Sequence, residues 1–292
     1  MKLFAGLEKI VSRDHPLASE TWLRIGGPAA YFVQPTTVEE LQEVVRRCRD
    51  NDVPLHVLGR GANLLVDDAG VKGAVLRLAG EEFSAVRTVE TGICAGAAAD
   101  MGRLVLRCVR EGRSGLECLT GIPGSLGGCV KMNAGGAFGD IGSAIESVDV
   151  LSRDGEIFTR YRGDLAFAYR STNISAPVIL SAEFRLTEDD PHRILKQVKQ
   201  IWIYKKNTQP LGNRNAGCIF KNPRGLSAGA LIDRAGLKNK TVGGARVSDK
   251  HANFILVDRG TRASDVLKLI NTIRETVYKK SEVYLELELE VW

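Results

Sequence analysis

Residues Gly121-Ile122-Pro123-Gly124-Ser125-Leu126-Gly127-Gly128 put four glycines and a proline into eight positions. No other stretch limits the fold as strongly. Holding a glycine in a regular element costs roughly 0.5–1 kcal/mol against alanine, so ordinary helix or strand is not expected here. Close approach of the backbone to another group is expected instead, and a bound phosphate or cofactor is the first candidate.

A second glycine segment, Leu58-Gly59-Arg60-Gly61-Ala62-Asn63-Leu64-Leu65, lies upstream. Neither loop fits the familiar nucleotide motifs. The dinucleotide fingerprint needs a third glycine where this chain carries Leu64, and a P-loop needs a Gly-Lys-Ser or Gly-Lys-Thr triplet that neither loop contains. Successive backbone N–H groups aimed into a concavity still bind a diphosphate, and two such loops would clamp one dinucleotide. Tight turns between strands would explain either loop taken alone.

The 292 residues favour two domains of ~150 residues each, and a hydrophobic content of 44% suffices for a large core. No stretch reaches the roughly 18 apolar residues of a membrane span. The opening MKLFAGLEKIVSRDH lacks the apolar run and small-residue cleavage site of a leader, so a cytoplasmic protein is expected. The net charge of +5 comes from 40 basic residues interleaved with 35 acidic ones, without a basic tract. That balance suits a small polyanion such as a nucleotide or nucleotide sugar, not a nucleic acid. Six cysteines, Cys48, Cys94, Cys108, Cys118, Cys129 and Cys218, form no Cys-x-x-Cys pair and have no histidine nearby, which argues against a metal site. Five read as small buried residues; Cys218 stands apart, between a glycine and a basic loop.

Helical spacing is clear in two places. Thr37 precedes Glu40 by three residues, a capping-box spacing, and Leu41, Val44, Val45 and Cys48 then share a face. Met101, Leu104, Val105, Cys108 and Val109 repeat the pattern up to Gly112. Residues 148–158 read as a hairpin turning at Asp154-Gly155, and 177–186 as a strand. A helix opens at Pro191, near which a domain boundary is placed, so that 1–190 form one domain (parts of about 1–70 and 71–190) and 191–292 the other. A short helix follows at 227–236, a strand at 252–258, and a helix capped by Ser264 with Val266, Leu269, Ile270, Ile273 and Val277 inward. The last residues alternate strictly, with Val283, Leu285, Leu287, Leu289 and Val291 on one face and Glu286, Glu288 and Glu290 on the other. The whole reads as α+β.

Seven segments in order, Arg24–Ala29 (RIGGPA), Leu58–Leu65, Gly121–Gly128 with the following Met-Asn-Ala-Gly-Gly, AYRST, AGCIFKNP, GGARVSDKHANFI and the terminal glutamate strand, resemble the UDP-N-acetylenolpyruvoylglucosamine reductases. The resemblance covers most of the chain. It implies non-covalent FAD in a two-part domain of the PCMH/vanillyl-alcohol-oxidase type, followed by a smaller α/β domain for the nucleotide sugar. It further implies NADPH as hydride donor and reduction of UDP-N-acetylglucosamine enolpyruvate to UDP-N-acetylmuramate for peptidoglycan. The matching FAD positions are Leu58, Gly59, Arg60, Gly61, Ala62, Asn63 and Leu64 in one loop. In the other they are Gly121, Ile122, Pro123, Gly124, Ser125, Gly127 and Gly128, joined by Asn133 and Gly135.

In this family hydride reaches the enolpyruvyl methylene carbon, and charge gathers at the carboxylate end. The resemblance assigns its stabilisation to Arg170 of the Tyr169-Arg170 pair, whose forked donors match a carboxylate. The neighbouring carbon then needs a proton, and the matching acid is Cys218, a thiol of ordinary pKa ~8.5 where others carry serine. The family's glutamate aligns with Glu288, although a two-residue slip selects Glu286 or Glu290. Lys206, Lys221, Asn222 and Tyr169 match substrate-contacting positions, as does Arg246, where glutamine is common. No insertion follows Arg170, so the chain resembles the compact type lacking an extra tyrosine loop, and a monomer is expected. Two rivals stay open: another flavin oxidoreductase of the same fold with a different substrate, and an inactive nucleotide-sugar binder.

Overall fold

The computed structural model describes residues 3–292. Among the described residues six α-helices occur in chain order: α1 (Val38–Asp50), α2 (Met101–Arg110), α3 (Leu126–Lys131), α4 (Pro191–Thr208), α5 (Ala228–Arg234) and α6 (Ala263–Ser281). Strands β1 (Val11–Pro16), β2 (Pro28–Val33), β3 (Leu55–Val57) and β4 (Val71–Leu76) form a sheet in the order β1-β2-β4-β3, with β3 and β4 parallel. Strands β5 (Val86–Val89), β6 (Gly92–Gly96), β7 (Ile145–Leu151), β8 (Ile157–Tyr161) and β9 (Val178–Arg185) form an antiparallel sheet in the order β8-β7-β9-β6-β5. Strands β10 (Thr241–Val242), β11 (Ala245–Val247) and β12 (Ile255–Val257) form a third, antiparallel sheet. The fold is α+β, and no described helix is long and apolar enough to cross a membrane.

The chain divides into two compact units. The first holds Met1–Asp14, Ala30–Arg60 and Lys72–Tyr204; the second holds His15–Ala29, Gly61–Val71 and Lys205–Trp292. α4 starts at Pro191, and the partition passes through it at Tyr204.

The first unit has two apolar cores. In one, Leu41, Val44, Val45 and Cys48 of α1 pack with Val33, Ala74 and Leu76, the face that the helical spacing marks out. Thr37 Oγ1 accepts from Glu40 N at 3.3 Å, while the Glu40 carboxylate turns back to Thr36 N at 2.7 Å, so both ends of the helical start are satisfied. In the other core, Met101, Leu104, Val105, Cys108 and Val109 of α2 lie against Ile93, Val148, Val150 and Phe184 of the five-stranded sheet. Asp100 caps α2 through Arg103 N at 2.8 Å. The hairpin β7–β8 turns where expected, with Gly155 at φ +82°.

The second unit has one core, in which Val266, Leu269, Ile270, Ile273 and Val277 of α6 meet Ile219, Phe220, Val247 and Ile255. Two expectations are corrected here. Ser264 does not cap α6: the N-cap position is Arg262, and the amides of Ala263 and Ser264 donate at 2.8 and 3.1 Å to the Asp68 carboxylate. A carboxylate brought from a distant segment satisfies the orphan donors, which local sequence cannot announce. The C-terminal residues also form no continuous strand. They make one bridge, Phe220 to Leu287, and a two-residue parallel ladder of Glu290–Val291 on Leu64–Leu65. Val291 is exposed at 38%.

Candidate active site

In the first unit the two glycine segments adjoin. A Cβ added to Gly59 would lie 2.3 Å from Ser125 Oγ, so glycine lets the chain after β3 pass this close to the second loop without displacing the serine hydroxyl. Leu58 is anchored behind it, buried, with its amide donating to Leu76 O at 2.7 Å. Arg60 reaches Asp100 at 3.3 Å. Gly121 (φ +70°) and Gly124 (φ +150°) take conformations that disfavour a side chain.

The second loop is not free of helix, contrary to expectation. Ser125 is the N-cap of α3, accepting from Gly128 N at 3.4 Å, and Gly127 and Gly128 sit inside the helix. The glycine cost is accepted because α3 packs too tightly for a side chain: a Cβ on Gly127 would meet Ala97 Cβ at 2.9 Å. Among the described residues, no protein group accepts the amides of Gly59, Arg60, Gly121, Gly124 or Ser125. Five free N–H groups on two adjoining loops, with glycine where backbone must approach closely, fit the diphosphate of FAD. Half-buried Ile122 packs on the core, and Pro123 is exposed.

Asn133 is 2% exposed at φ +44°, and its amide braces the protein. Oδ1 accepts from Gly142 N at 3.0 Å and Nδ2 donates to Ala168 O at 2.9 Å. Two residues beyond Ala168, Arg170 holds φ +56°, uncommon for a residue with a Cβ. Its guanidinium donates to Gly135 O at 2.9 Å and lies 5.0 Å over the Tyr169 ring. Local backbone, aromatic face and carbonyl together aim the arginine, while Tyr169 stays half exposed at 51%.

In the second unit Gly61 (φ +61°) leaves no room for a Cβ, which would lie 2.2 Å from Glu20 O. Ala62 is half-buried and Leu64 buried. Asn63 Nδ2 donates to Glu288 O at 2.8 Å, and Glu290 N donates to Asn63 O at 3.1 Å. Cys218, half-buried, makes a single antiparallel bridge to Phe254.

The next carbonyl, Ile219 O, accepts from both Glu288 N (2.9 Å) and Leu289 N (3.3 Å). Two residues facing one is a bulge, and it breaks the expected alternation. Glu288 becomes half-buried, whereas Glu290 is exposed and the Glu286 side chain is 71% exposed, 3.7 Å from Lys221 Nζ. The three glutamates are therefore not equivalent: Glu288 is the half-buried one, and its amide binds the carbonyl that follows Cys218.

The remaining expected positions have local partners of their own. Asn222 Oδ1 accepts from Ala228 N at 3.0 Å at the start of α5. Lys206 is exposed on the last turn of α4, its carbonyl accepting from Lys250 Nζ at 2.5 Å. Arg246 lies opposite Leu256 in the third sheet and donates to Asn239 Oδ1 at 3.2 Å. Sequence reasoning passed over Lys205, buried at 6% exposure. The signal was present: Ile194, Val198, Ile201 and Lys205 follow at spacings of four, three and four on the buried face of α4. Among the described residues no group of acidic, histidine and cysteine side chains could hold a metal.

A family profile described as UDP-N-acetylenolpyruvoylglucosamine reductase, C-terminal domain, matches residues 209–292, and an FAD-binding-domain profile matches residues 29–160. A UDP-N-acetylenolpyruvoylglucosamine reductase of Syntrophobacter fumaroxidans is 42% identical, over 94% of this chain and 82% of its own length. One from Listeria monocytogenes is 37% identical over 96% and 94%. The crystal structure of UDP-N-acetylenolpyruvylglucosamine reductase from Thermus caldophilus superposes with a TM-score of 0.85 at 40% identity, covering 97% of this chain and 98% of that one. A chitooligosaccharide oxidase, 14% identical with a TM-score of 0.50, shares the fold alone. At these identities and coverages, the chain belongs to the UDP-N-acetylenolpyruvoylglucosamine reductase family.

Proposed function

We infer that the protein is an FAD-dependent oxidoreductase that uses NADPH to reduce UDP-N-acetylglucosamine enolpyruvate to UDP-N-acetylmuramate, a step of peptidoglycan precursor synthesis. The observation that carries the reading is the Ile219 carbonyl, which ties the Cys218 strand to Glu288 through a 2.9 Å hydrogen bond and sets Glu288 apart from its neighbours. Bound FAD supplies the relay of hydride from NADPH to the substrate's methylene carbon. Leu58, Gly59, Arg60, Gly121, Ile122, Pro123, Gly124, Ser125, Gly127 and Gly128 of the first unit hold it in this reading, with Asn133 and Gly135 behind them. The family resemblance adds Gly61, Ala62, Asn63 and Leu64 to the residues assigned to the flavin.

Arg170 meets the negative charge that develops at the substrate carboxylate, and its fixed orientation means that little reorganisation is needed during reaction. Cys218 donates its thiol proton to the carbon beside that carboxylate, with Glu288 in the same acid–base set. Tyr169, Lys206, Lys221, Asn222 and Arg246 are assigned to the substrate, the cations suiting its diphosphate. We assign residues 1–190 to flavin binding and 191–292 to the nucleotide sugar, and take the protein to be a cytoplasmic monomer, the latter checkable by sedimentation.

The test is an absorbance assay of the purified, FAD-loaded protein. NADPH should bleach the flavin, and the enolpyruvyl substrate should restore the colour. Cys218→Ala should bleach as fast as the parent yet fail to be reoxidised by substrate, whereas Cys218→Ser should keep substantial activity. Normal turnover by Cys218→Ala removes Cys218 from its role, and colourless protein that cannot be reconstituted with FAD overturns the whole reading.

A further inference from the structure

We infer that Asn253 is a positioning residue for the proton-donating end of this reaction: its buried side-chain amide supplies a rung that the β-ladder lacks and so holds the Cys218 strand in register with Glu288. The inference rests on the roles given above to Cys218 and Glu288.

The ladder beside Cys218 is short. Cys218 bridges Phe254, and Ile219 N donates to Asn253 O at 2.9 Å. One residue further on the main-chain partner is gone, because the chain turns there, Phe254 N donating to His251 O at 3.0 Å. The Asn253 side chain takes its place. Phe220 N donates to Oδ1 at 3.0 Å, and Nδ2 donates to Phe220 O at 2.8 Å. A backbone N–H only donates and a carbonyl only accepts, so the partners fix which end of the amide is which.

Both residues are shut off from water, Asn253 at 3% exposure and Phe220 at 1%, so no solvent molecule stands ready to replace either bond. The Asn253 amide nitrogen is also engaged, donating to His251 Nδ1 at 3.3 Å. Burial lowers the His251 pKa, and because a backbone N–H only donates, Nδ1 is the acceptor of this bond.

The opposite edge of the same strand carries the C-terminal segment. Ile219 O takes Glu288 N and Leu289 N, Phe220 bridges Leu287, and Lys221 N donates to Glu286 O at 2.9 Å. Asn253 thus grips, from one side, the two peptides that select Glu288 from the other. Without it the Phe220 peptide has a buried donor and acceptor unpaired on that edge, and the strand relieves this by shifting. A shift of the order of 1 Å in an acid relative to its target carbon costs about 100-fold in rate.

The test uses the full-length, FAD-loaded protein and two variants, Asn253→Asp and Asn253→Ala. Asn253→Asp keeps the size and the acceptor for Phe220 N but turns an oxygen toward Phe220 O. Flavin bleaching by NADPH should stay within about twofold of the parent, while reoxidation by the enolpyruvyl substrate in a single turnover should slow about 100-fold. In a Cys218→Ala background the same substitution should add less than about twofold, because its effect passes through the thiol.

Parental reoxidation in Asn253→Asp, or full multiplication of the two effects, overturns the inference. Should the variants not retain flavin, amide exchange of the parent decides: slow exchange at Phe220 supports the side-chain rung and rapid exchange overturns it. Full turnover by Cys218→Ala would instead overturn the assignment of the acid, whatever Asn253 does.

Discussion

Substituting Gly59 by alanine tests whether the two glycine loops meet as the structure has them. The added Cβ would lie 2.3 Å from Ser125 Oγ, inside the 3.0 Å that real Cβ atoms do not enter, while the next atom, Ser125 Cβ, is at an ordinary 3.5 Å. Gly59 is not among the positive-φ residues, so the backbone accepts alanine without strain. Only the hydroxyl must move, and it is the cap of α3, accepting from Gly128 N at 3.4 Å. Turning it away forfeits a serine N-cap, about 1 kcal/mol, which corresponds to a fall of about 2–4 °C in Tm.

Ser125→Ala loses the same cap and should cost the same amount. The double variant has neither cap nor clash, so it should be no less stable than either single variant, a coupling of about 1 kcal/mol. Urea denaturation of the flavin-free proteins measures all three, and fluorescence quenching reports whether FAD binding weakens as well. If Gly59→Ala is as stable as the parent, or if the two substitutions add, the loops do not meet in this way and the proposed flavin cradle loses its geometric basis.

Three further outcomes are expected. Glu288→Gln should slow turnover about 100-fold or more, while Glu286→Gln and Glu290→Gln, both at exposed positions, leave it near the parent rate. Steady-state kinetics on the three variants separates them, and equal losses would refute the bulge at Glu288. Asp68→Ala should destabilise the protein by about 1 kcal/mol through the open end of α6. Burial raises the Asp68 pKa, but the Ala263 and Ser264 amides outweigh it and the net value is lowered. The Asp68 contribution is therefore present above the ordinary carboxylate pKa of 3.8 and lost as pH falls through the lowered value, so parent and variant should converge in acid denaturation. Burial pushes Cys48 up to about 11 and Cys108 and Cys129 up to about 12 from an ordinary 9.0. The stability they contribute is full below pH 9.0 and declines as pH rises toward 11 to 12, so denaturation midpoints should fall across that window, with a shallower fall in Cys129→Ala.

Much of the scaffold was legible because helices and hairpins repeat locally. The inward faces of α1 and α2 and the turn at Gly155 each follow from residues within a few positions of one another. The errors share a different cause. Ser264 looked like a cap because it is a serine in the right place, yet Asp68 supplies the acceptor. The terminal alternation looked uninterrupted because nothing in its own residues betrays a bulge imposed by Ile219 on another segment. The glycine-rich loop looked unable to be helical because the pressure of Ala97 on Gly127 comes from a strand's end some thirty residues earlier.

By itself the sequence determined which segments must let backbone approach something closely, which faces must be buried, and which family the ordered motifs resemble. Only the tertiary structure decided that Gly59 meets Ser125, that Glu288 and not its neighbours is half-buried with its amide on the Ile219 carbonyl, and that a carboxylate from Asp68 opens α6. Periodicity and backbone preference act between residues adjacent in the chain, whereas a hydrogen-bond partner or a steric limit is set by distance in space, which the folded core alone establishes.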